Sequence, residues 1–455
     1  MRKALPSVAR DTKQTAKVRI IGKYIMKKNM TIRIKRRTQP QWLIWVLVML
    51  PFIFSTLIEL LRFPNAVRYV LDIAWLALVV MLLRFNHLIH KTRKTFMIWI
   101  ILFFFYTLFA YLPNYQSALY YLWGFRNNFR MYVLFLAVAT FMTSVDGEYF
   151  LEIFDKLFWI NVVVSLIQYF GLGYSGDFLG GIFGTEMGAN AYTNIFFSIV
   201  LTRSLIFYLE KKEETWTCVS KCVAGLTVCV LAELKFFFIE FLLIIAMTVL
   251  LTDFTWRKFW VAAGGILAVF AGAILLSVLF PTFAGWFSVE WILSSALSNR
   301  GYTYSGDLNR LNAITRINDM WLRGLPGRLF GMGLGNCDTS SFAVLNTPFY
   351  RQHGRMHYTW LSHAHIYLEC GWIGLLFYFG FFVLVYICAG KVLKRSEGIK
   401  NTFSRMAMIM AVICMATSIY NGSLRTEAAY MAYFVLALPF TKSIGNPTPQ
   451  RKERI

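Results

Sequence analysis

Charge is scarce in this chain. Only 15% of its 455 residues are charged and 57% are hydrophobic, whereas a soluble globular domain carries about 25% charged residues. The shortage excludes a water-facing surface over most of the length. Long apolar runs recur from Trp42 to Phe440 and point to a polytopic membrane protein. Acids are scarcer still: 23 Asp and Glu stand against 46 Lys and Arg, for a net charge of +23. That excess does not imply nucleic acid, because of where it sits. Residues 1–39 hold thirteen Lys and Arg against one acid, Asp11, and abut an apolar stretch, so they read as a cytoplasmic anchor on anionic lipid. The arm lacks an apolar core and a small-residue cleavage site, which excludes a signal peptide, and Met26 and Met30 are alternative starts. The seven cysteines show neither zinc spacing nor a disulfide framework and read as packing residues. Internal repeats and low-complexity tracts are not evident. Histidine is rare, yet four of six, His353, His357, His363 and His365, share one short segment.

A crossing needs about 20 apolar residues. Spans are expected near residues 41–60, 69–84, 95–112, 129–143, 155–172, 189–209, 219–233, 236–252, 258–280, 366–390, 404–420 and 427–441. The expected fold is an all-α integral membrane protein of about twelve transmembrane helices, with a large external loop before the last three spans. It divides into a basic cytoplasmic arm (1–40), a bundle of about nine spans (41–280), an external loop with an Arg and His cluster (281–365), the last three spans (366–442) and a basic cytoplasmic tail (443–455). An even count puts both termini on one side. Basic clusters at 84–94, 211–212, 257–258, 391–405 and 451–455 fall on that side and make it cytoplasmic. The expected location is therefore a multi-pass place in a bacterial cytoplasmic (inner) membrane.

The loop of about 80 residues after residue 280 is long enough to be functional rather than connecting. It carries Arg300, Arg310, Arg316, Arg323, Arg328, Arg351 and Arg355 and no lysine. Arginine binds phosphate bidentately and is weakly hydrated, so such a loop suits a phosphate-bearing ligand. A solvated loop touching lipid phosphates is the alternative. Residues 216–251 are one apolar stretch broken by Lys221, Glu233, Lys235 and Glu240. Ionisable residues at that depth face a cavity or a partner, so Glu233 or Glu240 is expected to pair with Lys235, or Lys235 snorkels at a span end. GMGLG, residues 331–335, lacks the strand a dinucleotide site requires and reads as a turn bringing backbone close to a ligand. HGRMH, residues 353–357, with His363 and His365 could hold zinc, but no HExxH pattern appears, and Glu369 follows His365 by four with no third ligand evident. No metal and no cofactor is assigned. His365 opens a helix, whose N-terminal partial charge keeps an imidazole neutral and able to accept a hydroxyl proton. Neighbouring arginines could hold a phosphate leaving group. A simple cap remains the alternative.

Three segments carry a resemblance. SHAHIYLECGWIGLL (362–376) is similar to H-A-H-N-x-Y-L followed by G-I-I-G-L-L. RINDMWLRGLPGRLFGMGLG (316–335) is similar to R-x-x-x-x-W leading to P-x-x-G-x-G. GIFGTEMGANAYTNIF (181–196) is similar to G-x-F-x-N-x-N-x-x-A. In this order the chain resembles the O-antigen polymerase and ligase superfamily, the Wzy and WaaL type membrane glycosyltransferases, over roughly residues 170–390. The resemblance implies an inverting, metal-independent transfer from an undecaprenyl-diphosphate glycan to a sugar hydroxyl. Carried over, His365 or His363 becomes the base, and Arg316, Lys235 and Arg310 hold the diphosphate. Arg300, Arg355, His357, Glu186 and Asn190 are further candidate substrate contacts. The implied partners are the lipid-linked oligosaccharide donor and acceptor, membrane lipids, and a chain-length regulator or flippase, with no nucleic acid.

The chain departs from the pattern in three places. Lys235 in AELKFFF stands where the family has the arginine of S-R-G. Ile366 replaces the motif Asn. His365 lies about one helical turn closer to Gly371 than usual, which leaves open which histidine works. The expected activity is polymerisation of lipid-linked repeat units at the outer face. A ligase transferring glycan to a lipid or protein is the alternative within the family. A transporter of lipid-linked glycans or small molecules is the alternative from another class.

Overall fold

Backbone polar groups surrounded by lipid must be satisfied within the segment, which favours helices. The computed structural model describes residues 38–85, 91–279 and 308–442, and among these the chain is helical and has no strand. The helices are α1 (Gln39–Met49), α2 (Val70–Arg84), α3 (Lys91–Tyr111), α4 (Ala118–Phe141), α5 (Ser144–Leu166), α6 (Asn190–Leu209), α7 (Thr215–Leu231), α8 (Lys235–Leu251), α9 (Trp256–Leu279), α10 (Ala313–Met320), α11 (Gly324–Phe330), α12 (Pro348–His353), α13 (Ser362–Leu393), α14 (Ile399–Tyr420) and α15 (Ala429–Ala437). Each of the apolar stretches expected from the sequence overlaps a helix among the described residues, although the stretch 41–60 is broken after Phe52. Six segments, Asn65–Arg84, Arg93–Asn114, Asn190–Leu209, Trp256–Leu279, Ser362–Leu393 and Ile399–Tyr420, are long and apolar enough to cross a membrane. Shorter apolar helices accompany them at Gln39–Phe52, Thr215–Leu231 and Ala429–Phe440.

Two helices start well before the expected spans. α4 begins at Ala118 rather than near residue 129, and α5 at Ser144 rather than near 155. In α4 the early turns carry Arg126, Asn127, Asn128 and Arg130, which lower the hydropathy yet are consumed by polar partners inside the fold. In α5 the early turns are acidic, and Thr143 caps them by exchanging hydrogen bonds with Asp146. The Arg and His loop is ordered where described, as α10, α11, α12 and short turns. Residues 1–37 of the basic arm, the loop residues 280–307 with Arg300, and the tail 443–455 lie outside the described residues.

The layering separates buried from outward helices. α6 is buried over 83% of its apolar window and the Ile399–Tyr420 segment over 78%, but the α9 segment over only 22%. Leu267, Phe270 and Ile274 of α9 point outward. A helix that is apolar and exposed suits a lipid environment, so the long helices mark a membrane protein. At the centre, α14 packs on α13, α6, α8 and α15, and α13 also packs on α3 and α11. Hydrophobic exclusion does not drive helices together in lipid, so close packing and interior polar pairs carry more of the specificity.

Candidate active site

The segment that opens α13 is held at both ends. At its start, the Ser362 backbone N–H and hydroxyl donate to the Asn421 carbonyl at 3.2 and 3.1 Å, which ties it to the end of α14. At Gly371 the helix breaks, with φ of 62°. A break frees carbonyls that a continuous helix would use. Those of Leu368 and Glu369 accept instead from the backbone of Met332 (2.9 Å) and Gly333 (2.8 Å). GMGLG thus approaches protein backbone closely: a Cβ on Gly331 would lie 2.5 Å from the Glu369 carbonyl carbon, and one on Gly335 would lie 2.0 Å from the Tyr120 carbonyl oxygen. The expected close approach occurs, but to α13 and α4.

His365 is fully buried in the first turns of α13. The Arg425 guanidinium donates to its Nδ1. Guanidinium cannot accept, so Nδ1 is the acceptor and Nε2 carries the proton. Nε2 faces Glu369 Oε1 at 3.2 Å and Asp338 Oδ1 at 4.0 Å. Arg425 also donates to both Asp338 oxygens, at 3.3 and 3.2 Å, and Asn127 donates to Asp338 at 2.7 Å. The Cys337 amide donates to Glu369 at 3.2 Å, and the Tyr358 hydroxyl donates to the Cys337 carbonyl at 2.6 Å. Burial first, and then the nearby Glu369 and Asp338, push the Cys337 thiol well above its usual range, so it stays protonated. Burial and the same acids, together with Cys337, raise Tyr358. Asp338, His365 and Glu369 bring potential metal-ligand atoms within 4.8 Å of one another. Arg425, bonded to two of the three, supplies positive charge that a metal ion would bring.

A second group forms where the 173–188 loop, the α7–α8 turn, residue 310 and the ends of α13 and α14 meet. The Arg310 Nε donates to the Tyr420 carbonyl at 2.7 Å, and its guanidinium lies 4.2 Å from the Tyr420 ring centroid. Phe236 stacks on the same Tyr420 ring at 4.3 Å. His363 approaches the Ser418 carbonyl through Nδ1 at 3.2 Å, and its ring also lies against the Arg310 backbone. Lys235 shares the electrostatic surroundings of Glu233, Arg310 and Asp177. Asn190 donates to Asp177 at 3.0 Å and to the Ala232 carbonyl at 3.1 Å, joining the loop to the turn. Glu240, one of the two expected partners of Lys235, lies elsewhere: it is fully buried and accepts from Thr417 at 2.6 Å and Ser198 at 3.2 Å.

The structure therefore brings together Lys235, Arg310, His363 and Asn190, and places His365 in the adjoining acidic cluster. Arg316 is half-buried on α10, the helix whose Asn318 accepts from Tyr367 at 2.5 Å. Glu186 is exposed and pairs with Arg68 at 2.7 Å. Arg355 is exposed, His357 stacks on Trp360 at 3.7 Å, and His353 lies 4.8 Å from the Phe349 ring. Both histidines of HGRMH thus lie against aromatic rings. Sequence reasoning missed Arg425, Asp338, Asn127 and the buried pair Arg130–Glu427 at 3.3 Å. The available signal was their rarity: Arg425 and Glu427 interrupt otherwise apolar sequence. Comparison with models of known protein families and with curated proteins returns no match.

Proposed function

We propose that this chain is a membrane-embedded glycosyltransferase that polymerises lipid-linked oligosaccharide repeat units. In this reading all twelve apolar stretches cross a bacterial cytoplasmic membrane, both termini are cytoplasmic, and the site opens to the outer face. The observation that carries it is the meeting of three distant segments, in which Lys235 lies in the field of Arg310 and His363 lies against the Arg310 backbone and the Ser418 carbonyl. The donor is an undecaprenyl-diphosphate glycan. Arg310 and Lys235, with Arg316 from α10, hold its diphosphate.

An acceptor hydroxyl attacks the anomeric carbon on the face opposite the diphosphate. The new C–O bond forms as the bond to the diphosphate oxygen breaks, so configuration inverts. His363 takes the hydroxyl proton, and the leaving electron pair stays on the diphosphate, where the cations offset it. His363 is assigned as the base because its Nδ1 meets a carbonyl, that of Ser418, and by donating there leaves the other ring nitrogen to accept a proton, whereas the Nδ1 of His365, its acceptor, is occupied by Arg425. His365 then acts by holding the first turn of α13.

The test is purified protein with lipid-linked repeat units. His363→Ala is expected to lower glycan extension by at least about 100-fold. Arg310→Ala and Lys235→Ala are expected to weaken donor binding. The proposal is rejected if His363→Ala and His365→Ala both leave extension intact. A single transfer to another acceptor, without a ladder of products, would assign a ligase. Movement of donor across the membrane with no new glycosidic bond would assign a transporter.

A further inference from the structure

The far end of α13 lies roughly 30 Å beyond the break at Gly371, at 1.5 Å per residue. There α3, α13, the start of α14 and the chain after α15 line a half-open cavity of about 890 Å³. Arg93, Lys391, Arg395, Lys400 and Lys442 line it, and among the described residues no acid does. Leu384, Ile387 and Phe440 form an apolar wall, and Ile387 is 47% exposed on the outside of the helix.

The cations are positioned rather than loose. The buried Arg93 guanidinium donates to the Phe440 carbonyl at 3.2 and 3.1 Å. The Lys400 ammonium donates to the Thr441 carbonyl at 3.0 Å. The Thr441 carbonyl fixes the Lys400 ammonium without cancelling its charge. Like charges so close disfavour one another: the Lys442 ammonium is held below the ordinary lysine range, by burial first and by Arg93 second. An anion entering the cavity would relieve that repulsion.

We propose that this cavity holds the phosphate headgroup of an anionic phospholipid, with the acyl chains running along Leu384 and Ile387. Both halves of the ligand are needed to use both halves of the site. A free anion would engage the cations and leave the apolar wall unused, whereas a zwitterionic lipid would use the wall and bring an ammonium towards five cations. Basic pockets between helices are suited to anionic headgroups for this reason. The proposal is independent of the glycosyl-transfer reading.

Full-length protein in neutral detergent is titrated with phosphatidylglycerol, phosphatidylcholine or inorganic phosphate, and adducts are followed by native mass spectrometry beside thermal unfolding. Phosphatidylglycerol is expected to bind and raise the melting temperature, and the other two are not. The triple variant Lys391→Gln, Arg395→Gln and Lys442→Gln is expected to bind it roughly a hundredfold more weakly. The charge-conserving pair Lys391→Arg and Lys442→Arg is expected to bind as the parent does. If the triple variant has no melting transition, Lys391→Gln alone carries the test, with an expected loss of about fivefold. Equal binding of phosphatidylcholine, unchanged affinity in the Gln variants, or displacement of the lipid by equimolar phosphate would each overturn the proposal.

Discussion

Arg425 stands between the imidazole of His365 and the carboxylate of Asp338, with Glu369 fully buried alongside. Removing one partner of a buried charged group leaves the other unpaired, which costs about 3–5 kcal/mol. Arg425→Ala is therefore expected to lower stability by about that amount, read as a drop in melting temperature in detergent. Arg425→Lys should recover only part, since an ammonium cannot reproduce the fork that meets Asp338 and His365 together. An unchanged melting temperature for Arg425→Ala would show that the cluster does not hold the start of α13. The histidines were legible in the sequence because they are rare and adjacent. Arg425 was not, because the separation from His365, 60 positions, carries no local pattern.

The element that orders the site is α13, and its decisive feature is the break at Gly371. The residue has φ of 62°, and a Cβ there would lie 2.3 Å from the Leu329 backbone. Gly371→Ala combines a disfavoured backbone with overpacking, for an expected loss of more than about 2 kcal/mol. The glycine loop at 331–335 would lose its anchor, so faster proteolysis within residues 324–340 should accompany the lower melting temperature. Unchanged cleavage and melting would show that the loop is held without the break. The break also gives the compressed spacing between His365 and Gly371 a structural setting. The two residues stay within one buried half-helix, and the loop, not a longer helix, meets the freed carbonyls.

At the scale of the molecule, the proposed crossings put the acidic cluster and the basic cavity on opposite sides of a membrane. Ser341 lies in the loop that adjoins the first and Glu397 follows α13 near the second, and both are exposed. Ser341→Cys and Glu397→Cys are expected to react with an impermeant maleimide from opposite sides of sealed vesicles. Labelling from the same side would refute the alternation of spans. By itself the sequence determined the helical membrane class and the position of nearly every long helix. Apolar runs of that length have one favourable environment, and in it the backbone must bond within its own segment. It also marked Lys235, Arg310 and His363 as candidates, through their charge against an apolar background. Only the tertiary structure decided which of them meet. It set His363 beside Arg310, His365 against Arg425, Asp338 and Glu369, and Glu240 on neutral hydroxyls away from Lys235. Such pairings depend on how helices pack and where α13 breaks, and no periodicity within a single segment encodes them.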